Sequence, residues 1–147
     1  MNNSPAEQRQ SQIIRQQTMM LQQLGYSNKA ISLILNRTNL GAIENPSVCM
    51  TFESGCGDTL ILYLNLEGEI IRDVKFQYIG CVGLQSAAAA LTLLIRNCSL
   101  SAAAEFQESD IIQFLAFIPE NKHDCVEFAV AALHSMLRRL ESPRQTS

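Results

Sequence analysis

The chain has 147 residues, of which 47% are hydrophobic and 17% are charged. This length and composition predict one compact folded domain and exclude the low-hydrophobicity, high-charge pattern of disordered chains. The net charge of -3 provides no excess of Lys and Arg for binding phosphate backbones, so we expect no nucleic-acid partner.

No stretch reaches the roughly 20 apolar residues that span a bilayer, because the most apolar run, 87–95, contains Thr92 and stops before Arg96. The polar N-terminus lacks the basic and apolar regions of a secretion signal. We therefore expect no membrane span and a cytoplasmic location. Five cysteines in a reducing compartment favour metal binding or thiol chemistry over a disulfide framework.

In chain order, the first predicted element is a helix within an N-terminal extension, residues 1–25. Apolar side chains between residues 7 and 24 recur at helical spacing, and Gly25 is a plausible stop. This helix could pack on a sheet or mediate oligomerisation, so a homodimer stays open; apolar content of this kind is more typical of a core. Ser27 is a candidate N-cap of a second, short helix.

The apolar spacing then changes from helical to alternating, which predicts strands. Glu67-Gly68 is a turn signal between two such segments, so they should form an antiparallel hairpin, with 48–52 as a third strand at one edge. The alternating residues are Leu60, Leu62, Leu64 and Leu66 in one segment, and Val74, Phe76 and Tyr78 in the other.

Three further helices are predicted at 86–97, at 109–116 and in a long final segment with an apolar stripe from Val126 to Leu140. The expected fold is α+β: a small antiparallel three-stranded sheet with helices packed on one face, plus the extra N-terminal helix. The expected domain covers 26–140, followed by a flexible tail at 141–147.

Three cysteines fall at predicted element boundaries. Cys56 lies in a loop before the first long strand, Cys81 between the second strand and the Ala-rich helix, and Cys125 at the start of the last helix. A helix N-terminus lowers the pKa of a thiol and favours the thiolate that binds metal or accepts sulfur. With Asp58 two residues beyond Cys56, three thiolates and one weaker carboxylate could bind an iron-sulfur unit, zinc or Cu(I), and a weak ligand favours release.

The alternative interpretation is that these cysteines are small buried hydrophobes, because their separations are unlike the C-x-x-C pairs of structural zinc sites. We assign that structural role to Cys49 and Cys98, although Cys49 is near enough in sequence to serve as an auxiliary thiol. His134, inside the last helix, is interpreted as a surface or packing residue.

Three segments, 55–58, 76–81 and 122–125, resemble the signature segments of the U-type iron-sulfur scaffold family, represented by IscU and the N-terminal domain of NifU. Residues 26–31 and 36–41 resemble the helix and loop that open that family's domain. The resemblance implies a scaffold and not an enzyme: a cysteine desulfurase delivers persulfide sulfur, iron is supplied separately, and a [2Fe-2S] cluster forms and passes to apo-proteins.

The family's three cysteines map onto Cys56, Cys81 and Cys125, and its labile aspartate maps onto Asp58. Members of the family also hold zinc at the same ligands. Lys122 occupies a family position, whereas Asp124 replaces the histidine that relatives commonly carry before the third cysteine.

His123 lies one position earlier than that histidine, so Lys122, His123 and Asp124 are treated as modulators of the site. The segment 118–122 keeps only Pro119 and Lys122 of the Leu-Pro-Pro-Val-Lys motif that a dedicated Hsp70-type chaperone recognises in IscU, which argues against that partner.

Two other functions stay open. One is a zinc-containing sulfurtransferase that relays persulfide through Cys125. The other is a zinc-stabilised structural domain, which should lose its fold on chelation.

Overall fold

The structure is a computed structural model that describes residues 4–145, with the backbone alone described from 142 onward. Six α-helices and three strands follow one another within this range, together with a 3₁₀ turn at Glu120–Lys122. In chain order the elements are α1 (Pro5–Gln23), α2 (Asn28–Leu35), β1 (Val48–Glu53), β2 (Thr59–Glu67), β3 (Ile70–Ile79), α3 (Val82–Ile95), α4 (Leu100–Ala103), α5 (Glu108–Leu115) and α6 (His123–Gln145).

Serine side chains begin the first two helices. Ser4 Oγ accepts a hydrogen bond from the Glu7 backbone N–H, and Ser27 Oγ accepts one from the Ala30 N–H, at 3.1 Å in each case. Each bond satisfies a backbone donor that has no partner inside the helix. The predicted N-cap at Ser27 is therefore confirmed.

The sheet is antiparallel with the order β1-β2-β3, so β2 is the central strand. The β2–β3 turn is tight, because Glu67 pairs directly with Ile70. Gly68 takes φ +60° in this turn, a backbone conformation that costs glycine least. The β1–β2 connection is longer and spans residues 54–58, since Glu53 pairs with Thr59.

One face of the sheet is buried under the helices. Helix α3 packs against β3, α2, α5 and α6, and so occupies the centre of the molecule. The opposite face carries more exposed polar side chains, among them Tyr63, whose hydroxyl donates to Gln77 Oε1 at 2.6 Å. The buried side chains of the strands are Phe52, Leu60, Leu62, Leu64, Ile71, Val74 and Phe76.

The predicted α+β fold, its three-stranded sheet and the N-terminal helix are confirmed. Helix α3 begins four residues earlier than expected, at Val82, and the short helix α4 was not predicted. Helix α6 continues to Gln145 and so includes most of the tail predicted at 141–147; residues 146 and 147 lie outside the described part.

Helix α1 differs from expectation in its packing. It has no buried residue, and Ile13, Met20 and Leu24 on its surface are 47%, 62% and 63% exposed. The helix packs chiefly against α2, and its Leu21 is partly buried against the core. The interpretation of its apolar side chains as core therefore fails for the exposed Ile13 and Met20. Within residues 4–145, none of the helices combines the length and apolar character needed to cross a membrane.

Candidate functional site

Two of the predicted ligand cysteines meet at one end of the helical layer. Cys81 is the N-cap of α3, and Cys125 is the third residue of α6. Because α3 and α6 pack against each other, their starts bring the two Sγ atoms to 3.5 Å, the distance of a sulfur hydrogen bond. The fold therefore juxtaposes two thiols that are 44 residues apart in sequence.

Cys81 is the more acidic thiol of this pair. Burial acts to raise its pKa, but hydrogen bonds from the backbone N–H groups of Leu84 and Gly83 and from Cys125, together with the Lys122 ammonium, lower the pKa below its ordinary value. Both N–H groups lie in the first turn of α3, at the positive end of the helix dipole. The expectation that a helix N-terminus favours the thiolate is confirmed at Cys81.

Cys125 behaves in the opposite way. It is only 8% exposed, and burial, its hydrogen bond to Cys81 and the negative charge of Cys81 raise its pKa to about 12. The charge of Asp58 raises the pKa further, and Lys122 lowers it. The expectation that the start of α6 would favour a thiolate at Cys125 is therefore wrong, and Cys81 is the more acidic of the two thiols.

Lys122 and Tyr26 lie beside the pair, against Gly83. A Cβ atom at Gly83 would lie 3.0 Å from Lys122 Cδ and 3.1 Å from the Tyr26 hydroxyl, so only glycine leaves room for both. Tyr26 is buried, and burial followed by the charges of Cys81 and Cys125 raises its pKa to about 12. Sequence reasoning did not assign Tyr26 to the site, although it opens the first segment of the family resemblance.

Asp58 approaches the pair from the sheet. Its Oδ1 lies 3.0 Å from the position that a Cβ would take at Gly80, the residue before Cys81. Its charge also contributes to the raised pKa of Cys125. The half-buried Asp58 carboxylate therefore lies near the backbone that precedes Cys81 and acts electrostatically on Cys125.

Cys56 stands apart from that group, in the connection 54–58 between β1 and β2. Ser54 Oγ accepts hydrogen bonds from the Cys56 and Asp58 backbone N–H groups at 3.2 and 3.1 Å, and Gly57 takes φ +90°. Cys56 is exposed, and a Cβ at Gly55 or Gly57 would meet no atom within 4 Å. The loop is held by hydrogen bonds within its own residues, and open space surrounds the two glycines beside Cys56, whereas Asp58 at the end of the loop lies against Gly80.

Across residues 4–145, no three His, Cys, Asp or Glu side chains are arranged to hold a metal ion. The structure places Cys81, Cys125 and Asp58 near one another and leaves Cys56 in its exposed loop. A four-ligand set of Cys56, Asp58, Cys81 and Cys125 therefore stays a prediction. His123 and Asp124 are exposed in the first turn of α6, where the Asp124 carboxylate interacts favourably with the helix dipole.

Hydrogen bonds from neighbouring elements fix the start of α3. The Tyr78 hydroxyl donates to Gln85 Oε1 at 2.8 Å, and Gln85 Nε2 donates to the Ile34 carbonyl at 3.0 Å. Because Gln85 is buried and bonded to both β3 and α2, it restrains the turn of α3 that follows Cys81. The position of the Cys81 sulfur is thereby tied to the core.

The remaining candidates lie elsewhere. Cys49 is exposed on edge strand β1, and Cys98 lies beyond the far end of α3, about 20 Å along the helix from Cys81. Cys98 Sγ donates to the Leu94 carbonyl at 3.4 Å, and a ring nitrogen of His134 lies 2.8 Å from the Phe106 carbonyl oxygen. These contacts agree with packing roles for Cys98 and His134.

Comparison with known proteins places this chain in a family. The family described as NifU-like N terminal domain matches residues 25–146. A nitrogen fixation protein NifU from Trichormus azollae is 33% identical over 121 residues, which cover 76% of this chain and 40% of that protein. An iron-sulfur cluster assembly scaffold protein IscU from Aquifex aeolicus is 26% identical over 116 residues, which cover 77% of this chain and 74% of that protein. The chain thus spans about two-fifths of the length of the NifU proteins that it matches.

Solved structures agree at the level of the fold. A protein of Fervidobacterium islandicum AW-1, described as a candidate iron-sulfur cluster assembly scaffold for the SUF system, superposes with a TM-score of 0.63 and 25% identity, over 76% of this chain and 96% of that one. The N-terminal part of a NifU-like protein from Brucella abortus gives a TM-score of 0.61 at 16% identity, over 78% and 93% of the two chains, which shows the fold alone. Helix α1 ends at Gln23, before the family match begins at residue 25.

Proposed function

Because the chain belongs to the NifU-like N-terminal domain family, we propose that it is a scaffold on which an iron-sulfur cluster is assembled and then passed to recipient proteins. The observation that carries this proposal is the Cys81–Cys125 pair, with its Sγ atoms 3.5 Å apart and the Asp58 carboxylate beside it. The IscU relative is named for cluster assembly, and its similarity supports the same role here.

The chemistry of the pair suits a soft metal ion. Thiolates bind iron and zinc, and backbone N–H groups and Lys122 lower the pKa of Cys81, which favours its thiolate form. Binding a metal through both sulfurs displaces the proton of Cys125. Lys122, whose charge lowers the pKa of both thiols, offsets the negative charge that such a complex accumulates.

Cys56 and Asp58 are proposed to complete the ligand set from the β1–β2 connection. Three thiolates and one carboxylate would hold a [2Fe-2S] cluster, with zinc binding at the same ligands as a second occupant. The carboxylate is the weakest of the four ligands, which favours ligand exchange when a recipient protein approaches.

We propose a cysteine desulfurase as the sulfur donor. Cys125 is the persulfide acceptor predicted from sequence, but it is only 8% exposed, whereas Cys56 is exposed and Cys81 is half-buried. Exposure therefore favours Cys56 or Cys81 as the thiol that first meets a donor protein.

The test is anaerobic reconstitution with ferrous iron, cysteine and a cysteine desulfurase, followed by visible absorption and by transfer to an apo-ferredoxin. We expect cluster absorption in the wild type and in Cys98→Ser, a control outside the site, and its loss in Cys81→Ser and Cys125→Ser. A wild-type protein that keeps zinc and forms no cluster would contradict the scaffold function.

Replacing the carboxylate tests the release step. We expect Asp58→Ala to assemble a cluster but to transfer it more slowly than the wild type, because the weak ligand that favours exchange has been removed. Transfer kinetics to apo-ferredoxin are the measurement. Transfer as fast as that of the wild type would exclude this role for Asp58.

The sulfurtransferase alternative needs one nucleophile instead of three ligands. A relay through Cys125 would survive Cys56→Ser and Cys81→Ser, whereas a scaffold would lose its cluster in both. The burial and raised pKa of Cys125 weigh against a relay, because the thiol is the unreactive form. A zinc-stabilised structural domain would instead unfold on chelation.

A further inference from the structure

The Cys81–Cys125 pair is suited to a reaction as well as to ligation. Resting on the scaffold function proposed above, we propose that the pair cleaves a persulfide formed on either of its members, releasing hydrosulfide and closing a Cys81–Cys125 disulfide. This reaction would make the chain a source of inorganic sulfide in its own right.

The geometry carries the proposal. The two Sγ atoms are 3.5 Å apart, which is the separation at which reacting atoms are positioned for attack. Their backbones are fixed at the starts of α3 and α6, and Gln85 ties α3 to β3 and α2. The fold therefore holds the two sulfurs within reach of each other.

The step is balanced without an external oxidant or reductant. For a persulfide on Cys125, the Cys81 thiolate attacks Cys125 Sγ, the bond between that sulfur and the terminal sulfur breaks, and the terminal sulfur leaves with the electron pair as hydrosulfide. The Cys81 sulfur is oxidised by one electron and the terminal sulfur is reduced by one. For a persulfide on Cys81, the Cys125 sulfur attacks Cys81 Sγ while its proton passes to the terminal sulfur, and the products are the same.

The surroundings of the pair favour this course. Lys122 lies beside both sulfurs, and its positive charge stabilises the anion that attacks and the anion that leaves. Cys56, in its exposed loop, has none of these contacts. A persulfide there would depend on a second molecule for its cleavage.

A metal ion should block the reaction, because it would occupy both sulfurs. Persulfide sulfur that is transferred to the metal-free pair would be released as hydrosulfide. The resulting disulfide would then remove two ligands from the site until a dithiol reduces it. Sulfur that arrives after the metal would be retained.

The experiment loads the full-length, metal-free protein with glutathione persulfide, removes the excess reagent rapidly and follows hydrosulfide release without a reductant. Non-reducing peptide mapping by mass spectrometry then identifies the disulfide that has formed. We expect hydrosulfide release matched by linked Cys81 and Cys125 peptides in the wild type and in Cys98→Ser. Release should be lost in Cys81→Ser and Cys125→Ser, and suppressed when the wild type is first loaded with Zn²⁺.

The inference is overturned if the wild type retains its persulfide, if release persists in both serine variants, or if the linked peptides contain Cys56. Peptide mapping of the wild type needs no variant to fold, so a misfolded variant cannot obscure the result. If the wild type builds a cluster from iron and inorganic sulfide yet releases no hydrosulfide, persulfide cleavage fails and the scaffold function stands. Hydrosulfide release without any cluster formation would support persulfide cleavage and contradict the scaffold function.

Discussion

The Cys81–Cys125 pair and the Cys56 loop carry the same side chain in two very different settings. A Cβ added at Gly80 or Gly83, beside the pair, would lie 3.0 Å from a neighbouring side chain, whereas one at Gly55 or Gly57, beside Cys56, would meet no atom within 4 Å. The pair is built into the packed core, and the loop is held chiefly by bonds to Ser54. The Cys81–Cys125 pair is therefore preorganised by the fold, and Cys56 is not.

The largest expected difference between the two settings is in thiol reactivity. The pKa of Cys125, raised from 9.0 to about 12, leaves about a thousandfold less thiolate near neutral pH than an ordinary thiol has. We expect iodoacetamide to modify exposed Cys56 long before Cys125, as followed by peptide mass spectrometry.

The pH dependence of alkylation should also distinguish Cys81 from Cys125. A lowered pKa keeps Cys81 as a thiolate to lower pH, so its modification should begin below the ordinary thiol range as pH rises, and that of Cys125 should begin above it. Simultaneous modification of both at one pH would contradict the assigned ionisation states.

Coupling within the pair gives the next largest effect. Cys81→Ser removes a hydrogen-bond partner and a negative charge from Cys125, so the pKa of Cys125 should fall while burial keeps it above the ordinary value. A decrease of about one pKa unit raises the rate of alkylation about tenfold. Cys56→Ser is the matched control, and it should leave the Cys125 rate unchanged. An equal acceleration in both variants would show that Cys56 belongs to the same cluster.

A matched pair of glycine substitutions tests the position of Asp58. In Gly80→Ala the new methyl group would crowd the Asp58 carboxylate, and alanine is also strained at the φ of +157° that Gly80 takes. We therefore expect cluster transfer to slow in the same direction as in Asp58→Ala. In Gly55→Ala the methyl group meets open space, so transfer at the wild-type rate is expected. If the two variants behave alike, the contact between Gly80 and Asp58 has no functional importance.

The smallest expected effect is on stability. Gly83→Ala forces Lys122 and Tyr26 apart, which we expect to lower the free energy of unfolding by about 1 kcal/mol after the better helix propensity of alanine is included. Gly55→Ala should change it by less than about 0.5 kcal/mol. Urea unfolding of both variants measures the difference, and equal stabilities would mean that the Gly83 site relaxes freely.

The sheet was predictable from sequence because alternating leucines and a Gly68 turn define both its strands and its pairing. The exposure of the apolar side chains of α1 was not predictable. Helical spacing indicates which side of a helix is apolar, but only tertiary structure shows whether another element covers it, and Ile13, Met20 and Leu24 remain exposed. The short helix α4 has too few residues to show a period.

The approach of Cys81 to Cys125 agrees with the positions expected from sequence, but the ionisation of the two thiols was not predictable. Element boundaries indicated where Cys81 and Asp58 lie, and the low pKa of Cys81 follows from its place at a helix N-terminus. The raised pKa of Cys125 depends on burial between packed helices and on the distance to Cys81, neither of which can be read from local sequence. Tyr26 was missed for the same reason, because its contact with Gly83 crosses from one end of α2 to the start of α3.

The composition of α3 determines how this protein can vary. Four consecutive alanines, 87–90, are completely buried, and because successive residues of a helix point about 100° apart, the middle of α3 must be enclosed on every side. Mutational tolerance along α3 is therefore limited by volume more than by polarity, since any larger side chain would shift the helix that carries Cys81. In a saturation mutagenesis library, variants with substitutions in α3 should be depleted, and variants with substitutions in α1 should be nearly neutral. The sequence is therefore freer to diverge in α1 than in α3.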